Sequence, residues 1–291
     1  MGSSIVDYGV TKKLIKDKIN EIYILSRSNK LINKKYKHIK INYICKSIIN
    51  LKKIPQVDYI IYCLRNDNIK ISNSYFNQFL KLLETINKKP KILFTSSGAV
   101  YGKNINKIKD IENKKISLTS INNLNGYKKK YAREKILLEK KIKELGDKNY
   151  KVSIARCYTF IGKNIVQYKY AISDLINAAN SKSIIKLNSS INVFRSYMHS
   201  DDLSNWLITI LKNSNTRCPI YNVGSDKIVD LKILSKKIGK MTNKKVSVKT
   251  SKSKKFDYYV PSINKAKKKL NLNISINLND ALNSTIKNLN D

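Results

Sequence analysis

No apolar run of about 18 residues, the length needed to span a bilayer as a helix, occurs in this 291-residue chain. The N-terminus also lacks the basic, apolar and small-residue succession of a secretory signal. A soluble, cytoplasmic protein with no membrane partner is the expectation. Cysteine and histidine are scarce. Cys45, Cys63, Cys157 and Cys218 are scattered without a C-x-x-C pair, and with 2 histidines they offer neither a disulfide framework nor a zinc site. Reduced, mostly buried thiols are expected instead. Acidic residues are few, 20 against 58 basic ones, which leaves a formal charge of +38. A nucleic-acid binder concentrates such charge on one patch or helix. Here lysine runs from Lys12 to Lys287, and only six arginines occur. Lys, Asn and Ile share A/T-rich codons, so the excess reads as coding bias, and nucleic acid is not an expected partner. A basic surface still draws anionic substrates.

What is present is a globular composition, 42% apolar, long enough for a substantial core. Strand-like runs near Glu21–Ser26, Ile39–Ile44, Val57–Cys63, Lys91–Thr95 and Tyr150–Ala155 alternate with helical patterns near Val10–Lys18, Ile71–Asn87 and Tyr127–Leu145. Near-continuous Ile, Val and Tyr in the strands predicts a parallel sheet covered on both faces, a doubly wound α/β domain. Past Gly162 the rhythm weakens. A helix near Tyr170–Ser181, a strand near Ile184–Leu187, a strand-to-helix unit at Arg195–Leu211, a strand at Ile220–Val223 and helices near Leu231–Met241, Ser262–Leu270 and Leu278–Leu289 predict a smaller mixed lobe. The division expected is 1–165 and 166–291, with 195–225 packing back on the first domain. Lys249–Lys255, rich in Lys and Ser, reads as a solvated loop.

Two features point to chemistry. Tyr131 and Lys135 stand at i and i+4 in Tyr-Ala-Arg-Glu-Lys, which places both on one helix face. A phenol titrates near pH 10, and an adjacent ammonium stabilises its phenolate and makes it a usable base. About thirty residues upstream, Phe94-Thr95-Ser96-Ser97-Gly98-Ala99-Val100-Tyr101-Gly102 puts hydroxyls directly after an apolar strand, at the carboxyl rim where α/β sheets bind ligands. Together they suggest hydride-transfer chemistry.

On these residues the chain resembles the extended short-chain dehydrogenase/reductase family, in its sugar-nucleotide epimerase/dehydratase branch. The serine turn is similar to that family's Ser-Ser-x-x-Val-Tyr-Gly, and Tyr131, Lys135 and Glu139 to its Tyr-x-x-x-Lys-x-x-x-Glu. Ile154-Ala155-Arg156-Cys157-Tyr158-Thr159-Phe160-Ile161-Gly162 resembles Leu-Arg-x-x-Asn-x-x-Gly. Arg195-Ser196-Tyr197-Met198-His199-Ser200-Asp201-Asp202 resembles Arg-x-Phe-x-x-Val-x-Asp, and Tyr221-Asn222-Val223-Gly224 the strand that follows. The resemblance implies a Rossmann-type domain and a substrate lobe. It makes Ser97, Tyr131 and Lys135 catalytic. It places Gly2, Ser26, Arg27, Cys63, Leu64, Ser96, Tyr131, Lys135 and Tyr158 at the cofactor, and Ser97, Tyr101, Thr159 and Arg195 at the substrate. A nucleotide-sugar substrate, NAD, and a homodimer built on the helices near Ile71–Asn87 and Tyr127–Leu145 are implied with it. Arg195 is read as the diphosphate ligand, because bidentate phosphate binding suits a guanidinium. Arg156 is read as a structural anchor, Asp202 as a helix cap, His199 as a satisfied half-buried side chain, and Glu139 as the partner of a Lys on its own helix face.

The pattern fails at the start. The family opens with a buried strand and a Gly-x-x-Gly-x-x-Gly turn, whereas Met1-Gly2-Ser3-Ser4-Ile5 already lies inside that turn, with Ile5 and Tyr8 where glycines belong. A first strand missing from mid-sheet is expected to leave unpaired backbone on two neighbours. Either the chain starts late, at an internal Met, or it is a decayed relative. Ser26-Arg27-Ser28 carries no acid for the NAD ribose, and an Arg there suits the 2′-phosphate of NADP, so both cofactors stay open. The dehydratases of the family carry an Asp-Glu pair inside the serine turn, and Gly98-Ala99 stands there instead. A 4-epimerase that oxidises its sugar transiently is the reading favoured. A 4-ketoreductase, a 4,6-dehydratase or a non-catalytic binding protein are the alternatives.

Overall fold

The computed structural model describes residues 19, 21–26, 40–64, 66, 68–162, 170–189, 191–249 and 255–287. Four parallel strands form the central sheet: β3 (Tyr59–Tyr62), β4 (Lys91–Ser97), β5 (Val152–Cys157) and β10 (Ile220–Val223), in the order β10-β5-β4-β3. The doubly wound α/β class is therefore observed. β4 and β5 are the most buried, because Ile92, Leu93, Phe94, Val152, Ile154 and Ala155 present apolar side chains to both faces, and each is 0% exposed. Burying an Ile, Leu or Phe side chain contributes about 1.5–3 kcal/mol.

Alternation along β4 divides its side chains between two layers. Ile92 and Phe94 face a core shared with helices α1 (Ile69–Leu83) and α2 (Gly126–Asp147), through Phe76, Phe79, Leu138 and Ile142. Leu93 faces the opposite core, filled by Trp206, Leu207 and Ile210 of α4 (Ser200–Lys212). Asn68 starts α1 by accepting the Lys70 N–H on its side chain.

β1 (Glu21–Leu25) and β2 (Lys40–Ile44) make a separate parallel pair, and among the described residues β1 pairs only with β2 and β3 only with β4. The expected helix Val10–Lys18 and the Met1–Ile5 turn lie outside the described residues.

The smaller lobe is mixed. Helices α3 (Ala171–Ser181), α5 (Leu231–Met241) and α7 (Leu278–Lys287) close over a core with β7 (Ile184–Leu187), which pairs with β12 (Lys245–Val248). β8 (Asn192–Arg195) lies between β11 (Val229–Asp230) and β13 (Phe256–Tyr259), and short β6 (Phe160–Ile161) pairs with β9 (Met198–His199). Helix α6 (Asn264–Leu270) sets Ala266 into the α4-side core.

β12 and β13 correct the sequence reading, which had no strand between Met241 and Ser262. The cap of α4 is also corrected. Asp202 lies inside that helix, buried, where its carboxylate accepts the N–H groups of Ser275 (3.1 Å) and Ile276 (3.0 Å) and so ties α4 to the C-terminal segment. His199 caps the helix instead, its Nδ1 accepting the Asp201 N–H at 3.2 Å.

Candidate active site

Ser97 is the last residue of β4, and a 3-10 turn, Gly98–Tyr101, begins immediately after it. Two glycines make the turn possible. At Gly98 an added Cβ would lie 2.4 Å from the Tyr158 ring, and at Gly102, with φ at +78°, it would lie 2.0 Å from the Ser120 carbonyl oxygen. Ser97 Oγ accepts the Ala99 N–H at 3.2 Å and lies 3.1 Å from the Tyr259 hydroxyl. Tyr259, at the end of β13, also reaches the Cys157 carbonyl at 3.4 Å.

Helix α2 brings the other two groups to this point. Lys135, 3% exposed, donates from Nζ to the Thr95 carbonyl at 3.2 Å and lies 5.8 Å from the Tyr131 ring centroid and 4.9 Å from that of Phe94. Tyr131 stacks on Tyr127, their centroids 6.2 Å apart, and lies close enough to Tyr259 to interact with it electrostatically. Ser97 and the Lys135 ammonium thus lie at the carboxyl end of β4, with Tyr131 beside Lys135 and Tyr259 beside Ser97. Burial pushes the Cys157 thiol up to about 12, so this neighbouring sulfur stays protonated near neutrality.

Several residues expected at the ligands also bond within the protein. Ser96 points toward α2, where its hydroxyl donates to Glu139 at 2.6 Å. Glu139 is not paired with a Lys of its own helix. Its carboxylate takes a bidentate fork from Arg156, Nη2 at 2.7 Å and Nε at 3.0 Å, and both side chains are nearly fully buried. Arg156 also donates to the Tyr101 hydroxyl at 2.9 Å, and Tyr101 donates to Asn222 at 2.8 Å. Burial opposes the Arg156 charge, but Glu139 overcomes it and raises its pKa, so the cation is retained. Ser96 and Tyr101, expected at the cofactor and the substrate, are thus also members of a buried network that joins β4, α2, β5 and β10.

Tyr158, expected at the cofactor, is held by the protein in the same way. It is 2% exposed, donates to Asp110 at 3.1 Å and packs against Tyr259 at 4.4 Å between centroids. The Thr159 hydroxyl donates to the Ser196 carbonyl. Arg195 is not open on all sides. Nη1 donates to the carbonyls of Phe194 (2.8 Å) and Asp257 (3.0 Å), and Nη2 to the Asp257 carboxylate at 2.8 Å. Lys128, in the first turn of α2, meets the same carboxylate at 3.1 Å. Burial opposes charge at Asp257, yet these two cations hold its carboxyl below the usual range.

Tyr259 and Asp257 are the residues that sequence reading missed. The aromatic run Phe256-Asp257-Tyr258-Tyr259, closed by Val260-Pro261, was the available signal. Alternation sends residues 257 and 259 to one side of the strand and Tyr258, 4% exposed, to the other.

For a dinucleotide, the donor chemistry fits at this rim, where a buried ammonium, a hydroxyl and a phenol converge. Ser26 closes β1, with its N–H on the Ile44 carbonyl at 3.2 Å, Cys63 follows β3, and Leu64 packs into the α1–α2 core. Gly2 and Arg27 lie outside the described residues.

The parallel sheet ends β4 on Ser97, with Lys135 and Tyr131 of α2 beside that end. The chain belongs to the NAD dependent epimerase/dehydratase family, whose model matches residues 9–224. No curated protein matches the sequence. Among solved structures it is similar to Pal from Bacillus thuringiensis, with TM-score 0.78 and 18% identity over 99% of this chain and 97% of that one. UDP-glucose 4-epimerase from Thermotoga maritima, solved with UDP-glucose, gives TM-score 0.74 and 15% identity over 99% and 96%. A dTDP-glucose 4,6-dehydratase from Bacillus anthracis, in complex with NAD, gives 0.77 and 15% over 99% and 94%. At these identities the likeness speaks to the fold. No described helix is long and apolar enough to cross a membrane.

Proposed function

We propose that the protein epimerises a nucleotide sugar at its 4-position through a transient 4-keto sugar, with Ser97, Tyr131 and Lys135 as the catalytic groups. The observation that supports the reading is the placement of Ser97 and Lys135 at the carboxyl end of β4, with Tyr131 beside Lys135. Tyr131, as phenolate, takes the proton of the sugar 4-hydroxyl, and Lys135, one turn along α2, stabilises that phenolate with its positive charge. Ser97 donates a hydrogen bond to the same oxygen while its charge changes. NAD, when bound, would supply the hydride acceptor for this transient oxidation, and the reaction would be redox neutral overall. Lys135 would hold its nicotinamide ribose, and the rim residues Ser26 and Cys63 would line the adenosine side.

The geometry of Gly98 favours epimerisation over dehydration. Water elimination needs an added acid and base in the serine turn, and the Tyr158 ring fills the space that a side chain at 98 would need. In this reading the lobe built on β7, β8, β12 and β13 receives the nucleotide, and Arg195 offers a diphosphate the N–H groups that Asp257 leaves uncommitted. The test is turnover of UDP-galactose with added NAD. Wild type should form UDP-glucose without net NADH, and Tyr131→Phe should lower kcat at least ~100-fold, the scale of a lost general base. A variant with wild-type turnover, or one NAD(P)H consumed per product, would contradict the proposal.

A further inference from the structure

We propose that Tyr259 is a positioning residue: together with the Ala99 N–H it occupies the acceptor sites of Ser97 Oγ and thereby turns the serine hydrogen toward the substrate oxygen beside Tyr131. The inference rests on the reading above, in which Ser97 donates to that oxygen.

A serine hydroxyl has one hydrogen to give and two lone pairs to fill. The turn supplies one donor, the Ala99 N–H at 3.2 Å. The Tyr259 hydroxyl, at 3.1 Å, can act either way, so its own hydrogen decides the polarity of the pair. Burial pushes the Tyr259 phenol well above its ordinary value, so it keeps that hydrogen throughout the neutral range. Two acceptors are within reach, Ser97 Oγ at 3.1 Å and the Cys157 carbonyl at 3.4 Å, and the shorter contact is the serine. With both lone pairs occupied, Ser97 accepts from the protein on two sides and its hydrogen is free for the crevice.

The phenol is held in place for this role. Its ring packs on Tyr158 at 4.4 Å, Tyr158 is seated against Gly98, and the Arg195 guanidinium lies 5.9 Å from the Tyr259 ring centroid. β13 pairs in register with β8, Tyr259 opposite Arg195, and two residues earlier Asp257 bonds both Arg195 and Lys128 of the catalytic helix. One short strand, 162 residues away in sequence from Ser97, therefore fixes the serine against α2.

Two measurements on the full chain test this. Neutron diffraction should place the Tyr259 hydroxyl hydrogen on the line to Ser97 Oγ and the Ser97 hydrogen in the crevice. A Tyr259 hydrogen on the Cys157 carbonyl, with the Ser97 hydrogen on Tyr259, would overturn the proposal whatever the enzyme's substrate. In kinetics with UDP-galactose and NAD, Tyr259→Phe should lower kcat about tenfold, one hydrogen bond's worth, with KM changed less than about twofold. In a Ser97→Ala background the same change should have no further effect, because Tyr259 acts only through the serine. Losses that multiply in the double variant, or full activity of Tyr259→Phe beside an inactive Ser97→Ala, overturn the positioning role alone. Full activity of Ser97→Ala instead removes the functional reading and the proposal with it.

Discussion

Removing the Glu139 carboxylate should be among the most damaging single changes in the chain. Glu139 accepts three hydrogen bonds, from Arg156 Nη2 (2.7 Å), Arg156 Nε (3.0 Å) and the Ser96 hydroxyl (2.6 Å), with the Glu and Arg side chains only 5% and 3% exposed. Glu139→Ala strands a buried guanidinium that has only the Tyr101 hydroxyl left among these partners. Stranding one member of a buried pair costs about 3–5 kcal/mol, against a total stability of about 5–15 kcal/mol for a folded protein. At about 2–4 °C per kcal/mol for a chain of this order of size, Tm should fall on the order of 10 °C. Urea unfolding monitored by circular dichroism measures the free energy directly. The double variant Glu139→Leu, Arg156→Met should be more stable than Glu139→Ala, because no unpaired charge remains. A Glu139→Ala loss under about 1 kcal/mol, or a double variant worse than the single, would refute this account of the network.

Gly98→Ala should cost about 1–3 kcal/mol by overpacking, read by thermal unfolding, because its methyl group meets a Tyr158 ring that is pinned by Asp110 and cannot swing away. Activity should fall with it, since the displaced Tyr158 bears on Tyr259. Asp257→Asn should destabilise the protein in a pH-dependent way. The folded carboxyl titrates below its unfolded value of about 3.9, so its contribution is complete above that pH and is lost as pH falls through the depressed folded value. The stability gap between wild type and Asp257→Asn should therefore be constant from about pH 5 to 7 and close under strongly acidic conditions. A gap that widens below pH 4 would contradict the assignment.

The central sheet and helix α2 were legible because their physics is local. Ile92-Leu93-Phe94, bounded by Lys-Pro-Lys and the serine turn, reads as a strand buried on both faces, and within a helix the Tyr131 and Lys135 spacing sets a shared face. Glu139 was misread for an instructive reason. An i,i+4 lysine is the nearest candidate along the helix, but burial selects the partner, and a guanidinium fork satisfies two carboxylate oxygens of a buried Glu at once. Asp202 misled through a boundary. With α4 starting at Ser200, the cap falls on His199 and the Asp becomes an interior tie to Ser275. Nothing local announces Tyr259 as a neighbour of Ser97, since β13 is four residues long and its place depends on β8. Tertiary pairing of short strands is where sequence periodicity gives least.

The most direct test follows the hydrogen on the reacting carbon. UDP-galactose deuterated at the sugar C4 should be converted by the protein with catalytic NAD into UDP-glucose that keeps its deuterium, read by mass spectrometry, because in the proposed reaction the hydride that leaves C4 is the one returned to it. Deuterium lost to solvent, a 4-keto sugar released with stoichiometric NADH, or no dependence of turnover on Tyr131 would contradict the central claim.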